Sequence, residues 1–168
     1  QRAKELSLNM FSNTESWGLF DEKSTPLSEI IKAGRVSVLD VSVYATMPGG
    51  WNVKSLVIGI VAKKLFTDRM KSRRDEEFRE VKKTVHYFSD DEEKITEPLV
   101  WLVIDEAHEF IPNDSTTVAT QPLITLLREG RQPGISLVLA SQQPGKINND
   151  VITQSDIVIA HRITAKID

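Results

Sequence analysis

The sequence predicts an α/β fold with a largely parallel sheet, and two observations carry this prediction. Four short apolar runs rich in β-branched residues lie at 35–43, 99–105, 135–141 and 156–163. They are nearly continuous in apolar residues, as expected of strands that are covered on both faces. Helix-like segments precede and separate these runs. Alternation of strand and helix favours a parallel sheet flanked by helices.

Composition excludes several classes of protein. The 168 residues suffice for about one domain with a real core. The absence of cysteine excludes disulfides and thiolate metal sites within this chain. A net charge of −3 neither predicts nor excludes nucleic acid. No apolar run approaches a membrane span, and "QRAKELSLNM" at the start is not a signal peptide. Because the chain starts with a polar, helix-like stretch and ends abruptly at "ITAKID", we expect it to be part of a longer protein.

Capping residues and periodicity predict three helices. Thr25 is a candidate N-cap for the segment that Gly34 ends, and Thr120 is one for "TQPLITLLREGRQPG". Between them, apolar residues at spacings of three and four predict an amphipathic helix over 53–72. Charges of both signs dominate 69–98, which we interpret as an extension of this helix followed by an exposed, mobile connection at about 75–97.

The string "LVWLVIDEAH" places two acids directly after an apolar strand. Asp105 and Glu106 fall at its carboxyl end, where open α/β sheets form ligand crevices. A nucleotide hydrolase needs one carboxylate to hold Mg²⁺ and another to orient the attacking water. The simpler alternative is a strand that ends in two exposed acids and a turn.

The string "LLREGRQPGISLVLASQQPGKI" adds further polar groups around the next strand. Arg128 and Arg131 end a helix, where the helix dipole by itself favours cations. Gln142 follows the strand, at the edge where a γ-phosphate would lie in a nucleotide site. The same loop is also compatible with a plain turn, because Pro-Gly is strong turn chemistry.

Together these strings resemble the HerA family of hexameric DNA translocases, within the wider HerA–FtsK group of ATPases. The "REGR…LASQ-x-P" segment is far more specific than the acidic pair. The matching stretches are 34–42, 101–112, 126–147 and 155–163.

The resemblance implies that residues 1–168 are the C-terminal part of a RecA-like P-loop NTPase domain whose Walker A part is missing from this chain. It further implies ATP and Mg²⁺ as cofactors and a homo-hexameric ring that translocates along double-stranded DNA. A NurA-type nuclease would be the partner in DNA end processing and repair, in the cytoplasm, with no membrane segment.

The resemblance also assigns roles to individual residues. Asp105 resembles the Walker B aspartate, which holds Mg²⁺ through water, and Glu106 resembles the catalytic glutamate. Gln142 resembles the sensor of the γ-phosphate. Arg131, or alternatively Arg128, resembles an arginine finger that reaches the ATP of a neighbouring subunit. DNA contacts would lie in the turn at 45–54 or in the loop that carries Lys146.

The stretch "PGGWNVKS" at 48–55 resembles a P-loop but lacks its second glycine, because Val53 occupies that position. In the family that this chain resembles, the Walker A loop lies upstream of the segment at 34–42. We therefore interpret Lys54 and Ser55 as first-turn residues of the following helix.

Three other functions compete with this interpretation. "DEAH" at 105–108 is also the signature of superfamily 2 helicases, but "LASQQPG" stands where those enzymes have Ser-Ala-Thr. A conjugation or secretion ATPase of the same group shares the motifs. A non-catalytic scaffold module is the alternative from a different class.

Overall fold

The computed structural model describes residues 25–47, 49–85 and 98–162. The helices are α1 (Leu27–Ile30), α2 (Gly50–Val85), α3 (Thr120–Glu129) and α4 (Asn149–Gln154), and the strands are β1 (Val100–Ile104) and β2 (Ile135–Leu139). Short 3-10 helices occupy Ser42–Thr46, Ala107–Glu109 and Pro144–Lys146. None of the described helices is long and apolar enough to cross a membrane.

The two strands pair in parallel, as the sequence predicts. Val100 lies opposite Ile135 and Ile104 lies opposite Leu139. Helix α3 forms the connection between them, because a parallel pair needs a crossover rather than a hairpin. The result is a β–α–β unit, consistent with an incomplete α/β core of the RecA type.

Two of the four predicted strands are not strands in the described structure. Residues 35–41 contain no regular element and continue into a 3-10 helix, and 156–162 are also irregular; residue 163 lies outside the described range. A strand forms only where a neighbouring backbone accepts and donates hydrogen bonds. The described residues provide no such neighbour, so Val36, Val38 and Ile159 remain exposed.

Helices cover one face of the sheet within the described residues, which corrects the prediction that both faces are covered. Trp101 and Val103 on the other face are 73% and 65% exposed. Alternate residues of β1 point to opposite sides, and Ile104 belongs to the buried side. The core combines residues from the strands, α2, α3 and the loops, chiefly Ala62, Leu65, Ile104, Phe110, Ile111, Leu123, Leu126 and Ile135.

Helix α2 is longer than the amphipathic segment predicted at 53–72. Its 36 residues span about 54 Å and reach Val85. The first part of the predicted connection at 75–97 is therefore helical, and 86–97 lie outside the described residues. Ion pairs between residues four apart, such as Lys64 with Asp68, stabilise this charged helix locally.

The helix caps differ from those predicted. Helix α1 has a single turn, its N-cap is Pro26 rather than Thr25, and Gly34 adopts a φ of 71° beyond its end. The N-cap of α3 is Ala119. The Thr120 hydroxyl instead accepts the backbone N–H of Thr117 at 2.9 Å, so it orders the incoming chain.

Candidate functional site

The acidic pair lies at the carboxyl edge of the sheet, beside the loop that follows β2. The hydrogen-bonding ladder continues past both strands: Ala140 N–H donates to Ile104 O, and Ala107 N–H donates to Ala140 O, both at 2.9 Å. These bonds hold the turn at 105–109 against the loop at 140–143. The structure thus brings the predicted Asp105, Glu106 and Gln142 to one edge.

Glu106 occupies a backbone conformation that few residues other than glycine adopt. Its φ of 49° and ψ of 45° are left-handed, which favours glycine, asparagine or aspartate over glutamate. The Asp105 carboxylate accepts the Glu106 N–H at 2.9 Å and so supports this turn. Non-glycine residues in such conformations cluster at functional sites.

The Glu106 carboxylate contacts side chains of both loops. The Gln142 amide nitrogen donates a hydrogen bond to its Oε1 atom. The other oxygen, Oε2, is buried, has no hydrogen-bond partner among the described residues and lies 3.4 Å from Nδ1 of His108. One carboxylate oxygen is therefore held by the neighbouring loop, while the second lies buried beside the His108 ring.

The His108 ring connects the acidic turn to the loop after β2. Its Nδ1 atom lies 2.9 Å from Ser141 Oγ, and its Nε2 atom lies 3.2 Å from the Gln143 amide nitrogen. Ser141 Oγ also accepts the Gln143 N–H at 3.0 Å. All three contacts are satisfied when Nδ1 carries the ring proton and Nε2 accepts from Gln143. The ring thus contacts a second loop of its own chain.

Asp105 has the chemistry that a magnesium site requires. It is exposed, one of its oxygens accepts only a backbone N–H, and carboxylate oxygen is a ligand that Mg²⁺ prefers. Mg²⁺ bound with a nucleotide takes one or two protein carboxylates, the phosphates and water rather than an all-protein cage. The described residues contain no cluster of three acidic or histidine side chains that could hold a metal alone.

Lys54 and Ser55 belong to helix α2 and do not form a phosphate-binding loop. The helix begins at Gly50, so both residues lie within its first two turns. Lys54 Nζ is 3.7 Å from Glu109 Oε2 and 5.4 Å from the Trp51 ring centre, and the Ser55 hydroxyl is buried. These contacts support the interpretation of "PGGWNVKS" as the start of a helix.

The two candidate arginines lie at the opposite edge of the sheet from the acids. Both precede β2, whereas Asp105 follows β1, so the length of the paired strands, at least about 13 Å, separates them. Arg128 is engaged by Asp150 at 2.8 Å. Arg131 is exposed and has no ion-pair or hydrogen-bond partner for its side chain among the described residues. The structure therefore does not bring either arginine to Glu106 of the same chain.

The candidate DNA-contacting positions lie in short irregular segments. Lys146 ends the 3-10 helix after the Gln143 loop and is exposed, and its carbonyl accepts Asn113 N–H at 2.8 Å. The turn predicted at 45–54 spans the end of one 3-10 helix and the start of α2. Both positions remain predictions.

Sequence reasoning did not foresee two parts of this arrangement. The contact of His108 with Ser141 and Gln143 joins residues more than 30 positions apart, and a signal existed only in their placement after adjacent parallel strands. The buried Arg69 gave no signal, because it lies in a charged segment where cations usually face solvent.

The chain is similar in sequence to known proteins. The family model described as "Zonular occludens toxin (Zot)" matches residues 76–167. The chain is 30% identical over 145 residues to "Probable DNA double-strand break repair helicase HerA" of Methanocaldococcus jannaschii, covering 80% of this chain and 27% of that protein. It is 31% identical over 154 residues to "DNA double-strand break repair helicase HerA" of Pyrococcus furiosus, covering 83% and 26%.

A third relative, the DNA double-strand break repair helicase HerA of Sulfurisphaera tokodaii, is 36% identical over 55 residues, which cover 33% of this chain and 11% of that protein. The chain thus spans about a quarter of the length of the first two curated relatives. The match to the family model covers more than half of this chain. The chain therefore belongs to the Zot family of P-loop ATPases, and it is similar to HerA helicases over 80% or more of its length.

Proposed function

We propose that this chain supplies the Walker B, sensor and arginine-finger segments of an ATP-driven double-stranded DNA translocase or helicase of HerA type. The observation that carries the proposal is the contact between Glu106 and Gln142 at the carboxyl edge of two parallel strands, with Asp105 adjacent. The names of the curated relatives support DNA repair as the process. The proposal extends to a homo-hexameric ring that works with a nuclease on broken DNA ends in the cytoplasm.

In this proposal each side chain at the carboxyl edge has a separate task. Asp105 would hold Mg²⁺ through water, and the bound ion would neutralise charge on the nucleotide phosphates. The Glu106 side chain is 31% exposed, and it would orient the attacking water through Oε1, because Oε2 is buried beside His108. Gln142 links Glu106 to the loop where the γ-phosphate would lie.

In this proposal Arg131 completes the nucleotide site of a neighbouring subunit. Because it lies at the opposite edge of the sheet, it acts on the nucleotide of a neighbouring subunit rather than on its own. Arg128 is the weaker candidate, since Asp150 already engages its guanidinium. A finger supplied by a neighbour makes hydrolysis depend on ring assembly.

The chemistry of the site suits a second candidate equally well. A conjugation or secretion ATPase of the same group would use the same acids, glutamine and arginine on a different cargo. DNA dependence of hydrolysis separates the two functions.

The test is ATP hydrolysis by the full-length protein with and without linear duplex DNA, beside Glu106→Gln. DNA-stimulated hydrolysis that falls by roughly 10²- to 10⁴-fold in the variant supports the proposal. Hydrolysis indifferent to DNA favours the secretion-type function. No hydrolysis in either protein leaves a non-catalytic scaffold as the better description.

A further inference from the structure

The turn that carries Arg131 is fixed by hydrogen bonds along most of its backbone. Gly130 O accepts Ile135 N–H at 2.8 Å, and Arg131 O accepts Gly134 N–H at 3.2 Å. Gly134 O accepts the N–H of Val100, the first residue of β1, at 3.1 Å. Gly134 has a φ of 77°, which permits the sharp entry into β2. This turn is therefore tied to the starts of both strands.

Another carbonyl of this turn, that of Pro133, accepts a hydrogen bond from a charged side chain in the interior. Arg69 of α2 is only 3% exposed, and its Nε–H donates to Pro133 O at 2.8 Å. Pro133 is itself fully buried. The Nη1 atom of Arg69 lies 4.0 Å from Glu76 Oε1, and Glu76 Oε2 lies 3.3 Å from Arg73 Nη1. Arginine is rarely buried to this extent unless its donors are used, and the bond to Pro133 O uses one of them.

Helix α2 links this turn to the acidic edge of the sheet. Lys54 near its start is 3.7 Å from Glu109 in the turn after Glu106. Arg69 lies 15 residues later, or about 22 Å along the helix axis. One continuous helix therefore contacts the acid-bearing turn at one edge and the arginine-bearing turn at the other.

The Arg131 side chain points to open space rather than into this packing. It lines an open depression of about 580 Å³ together with side chains of α2, of the end of α3 and of the turn that follows, namely Arg73, Glu77, Arg128, Glu129 and Gln132. A side chain that acts on a neighbouring molecule needs an exposed guanidinium and a backbone that is held in place. A displacement of 1 Å can lower the rate about 100-fold.

We propose that Arg69 is a positioning residue for Arg131: it holds Pro133 O and thereby fixes the direction in which Arg131 leaves the subunit. The inference rests on the proposed role of Arg131 as a finger acting on a neighbour. In this proposal Arg69 acts through its bond to the turn at 130–134, in addition to its ion pair with Glu76. Its loss is therefore equivalent to a partial loss of Arg131 and not to a loss of Glu106.

The test measures ATP hydrolysis by variants of the full-length protein, first alone and then in rings that mix two variants. Arg69→Met keeps the apolar stem and removes the donor, and Arg74→Gln, an exposed arginine on the same helix, is the matched control. We expect kcat for ATP to fall roughly 10- to 100-fold in Arg69→Met, with KM and ring assembly within about twofold of the unmodified protein. If Arg69→Met fails to assemble into rings, Arg69→Lys, which keeps the positive charge, replaces it in the same measurements.

The mixing step separates positioning from structural support. Rings of Arg69→Met with Glu106→Gln should regain activity, because each variant supplies what the other lacks, whereas rings of Arg69→Met with Arg131→Ala should not. Unchanged kcat, equal losses of ring assembly and activity, or recovery with Arg131→Ala would each overturn the inference. If Arg131→Ala with Glu106→Gln also fails to recover, the proposed finger itself is wrong.

Discussion

Glu106 and Gln142 lie 36 positions apart in the sequence, and their side chains are joined by a hydrogen bond at the carboxyl edge of the sheet. The contact is possible because parallel strands β1 and β2 end at the same edge. It places the residue proposed to orient water in direct contact with the residue proposed to sense phosphate. A substitution of either side chain should therefore change the position of the other.

Gln142→Ala should lower kcat for ATP hydrolysis by roughly 10- to 100-fold, because Glu106 loses the donor that fixes its carboxylate. Steady-state kinetics of the full-length protein check this. Gln154→Ala, an exposed glutamine on α4, is the matched control and should leave kcat unchanged. Equal kcat values for both variants would show that the contact has no catalytic role.

Arg131→Ala and Arg128→Ala should behave differently. Arginine fingers of GTPases contribute about 10³- to 10⁵-fold to the rate, so Arg131→Ala should nearly abolish hydrolysis. Arg128→Ala removes a largely exposed ion pair with Asp150, which is worth about 0 to 1 kcal/mol of stability. Hydrolysis rates and thermal unfolding of both variants test the assignment; the reverse ranking would make Arg128 the finger.

His108 and Ser141 should be energetically coupled. A double-mutant cycle of His108→Ala and Ser141→Ala, followed by denaturant unfolding, should give a non-additive free energy of about 0.5–3 kcal/mol, as for other residues in one hydrogen-bonded network. The pair of Ser141→Ala with Ser72→Ala, on a distant part of α2, should be additive within about 0.5 kcal/mol. Additivity of the first pair would mean that the ring does not stabilise the loop.

Gly50→Ala should destabilise the protein although alanine is the better helix former. A Cβ atom at Gly50 would lie 1.6 Å from Tyr44 O, so the 3-10 helix at Ser42–Thr46 must move away from α2. Overpacking of this kind costs about 1–3 kcal/mol, more than the roughly 1 kcal/mol gained in helix propensity. Asn52→Ala, exposed in the same turn, is the control in thermal unfolding; equal midpoints would contradict the prediction.

The edge of the site was predictable because it depends on local pattern. An apolar run of strand length ends at Asp105, and another ends at Ser141 and Gln142, and parallel pairing alone brings such ends together. The β–α–β order followed from the same runs. Once β1 and β2 are adjacent, the local pattern is enough to bring Asp105, Glu106 and Gln142 into one cluster.

Features that depend on distant partners were not predictable. The runs at 35–43 and 156–163 have strand composition, but pairing decides whether a strand forms, and the described residues offer none. The burial of Arg69 depends on the carbonyl of Pro133, 64 positions away. The extension of α2 to Val85 depends on charged pairs whose pattern is equally typical of a solvated connection.

The division of the site between subunits is tested most directly by ATP hydrolysis in mixed rings of Glu106→Gln and Arg131→Ala, each expected to be inactive alone. In a random equal mixture, about one interface in four pairs an intact Glu106 with an intact Arg131 from the neighbour. Recovery to about a quarter of the unmodified rate is the predicted result if interfaces act independently. A mixture no more active than its two components would contradict a finger that acts between subunits.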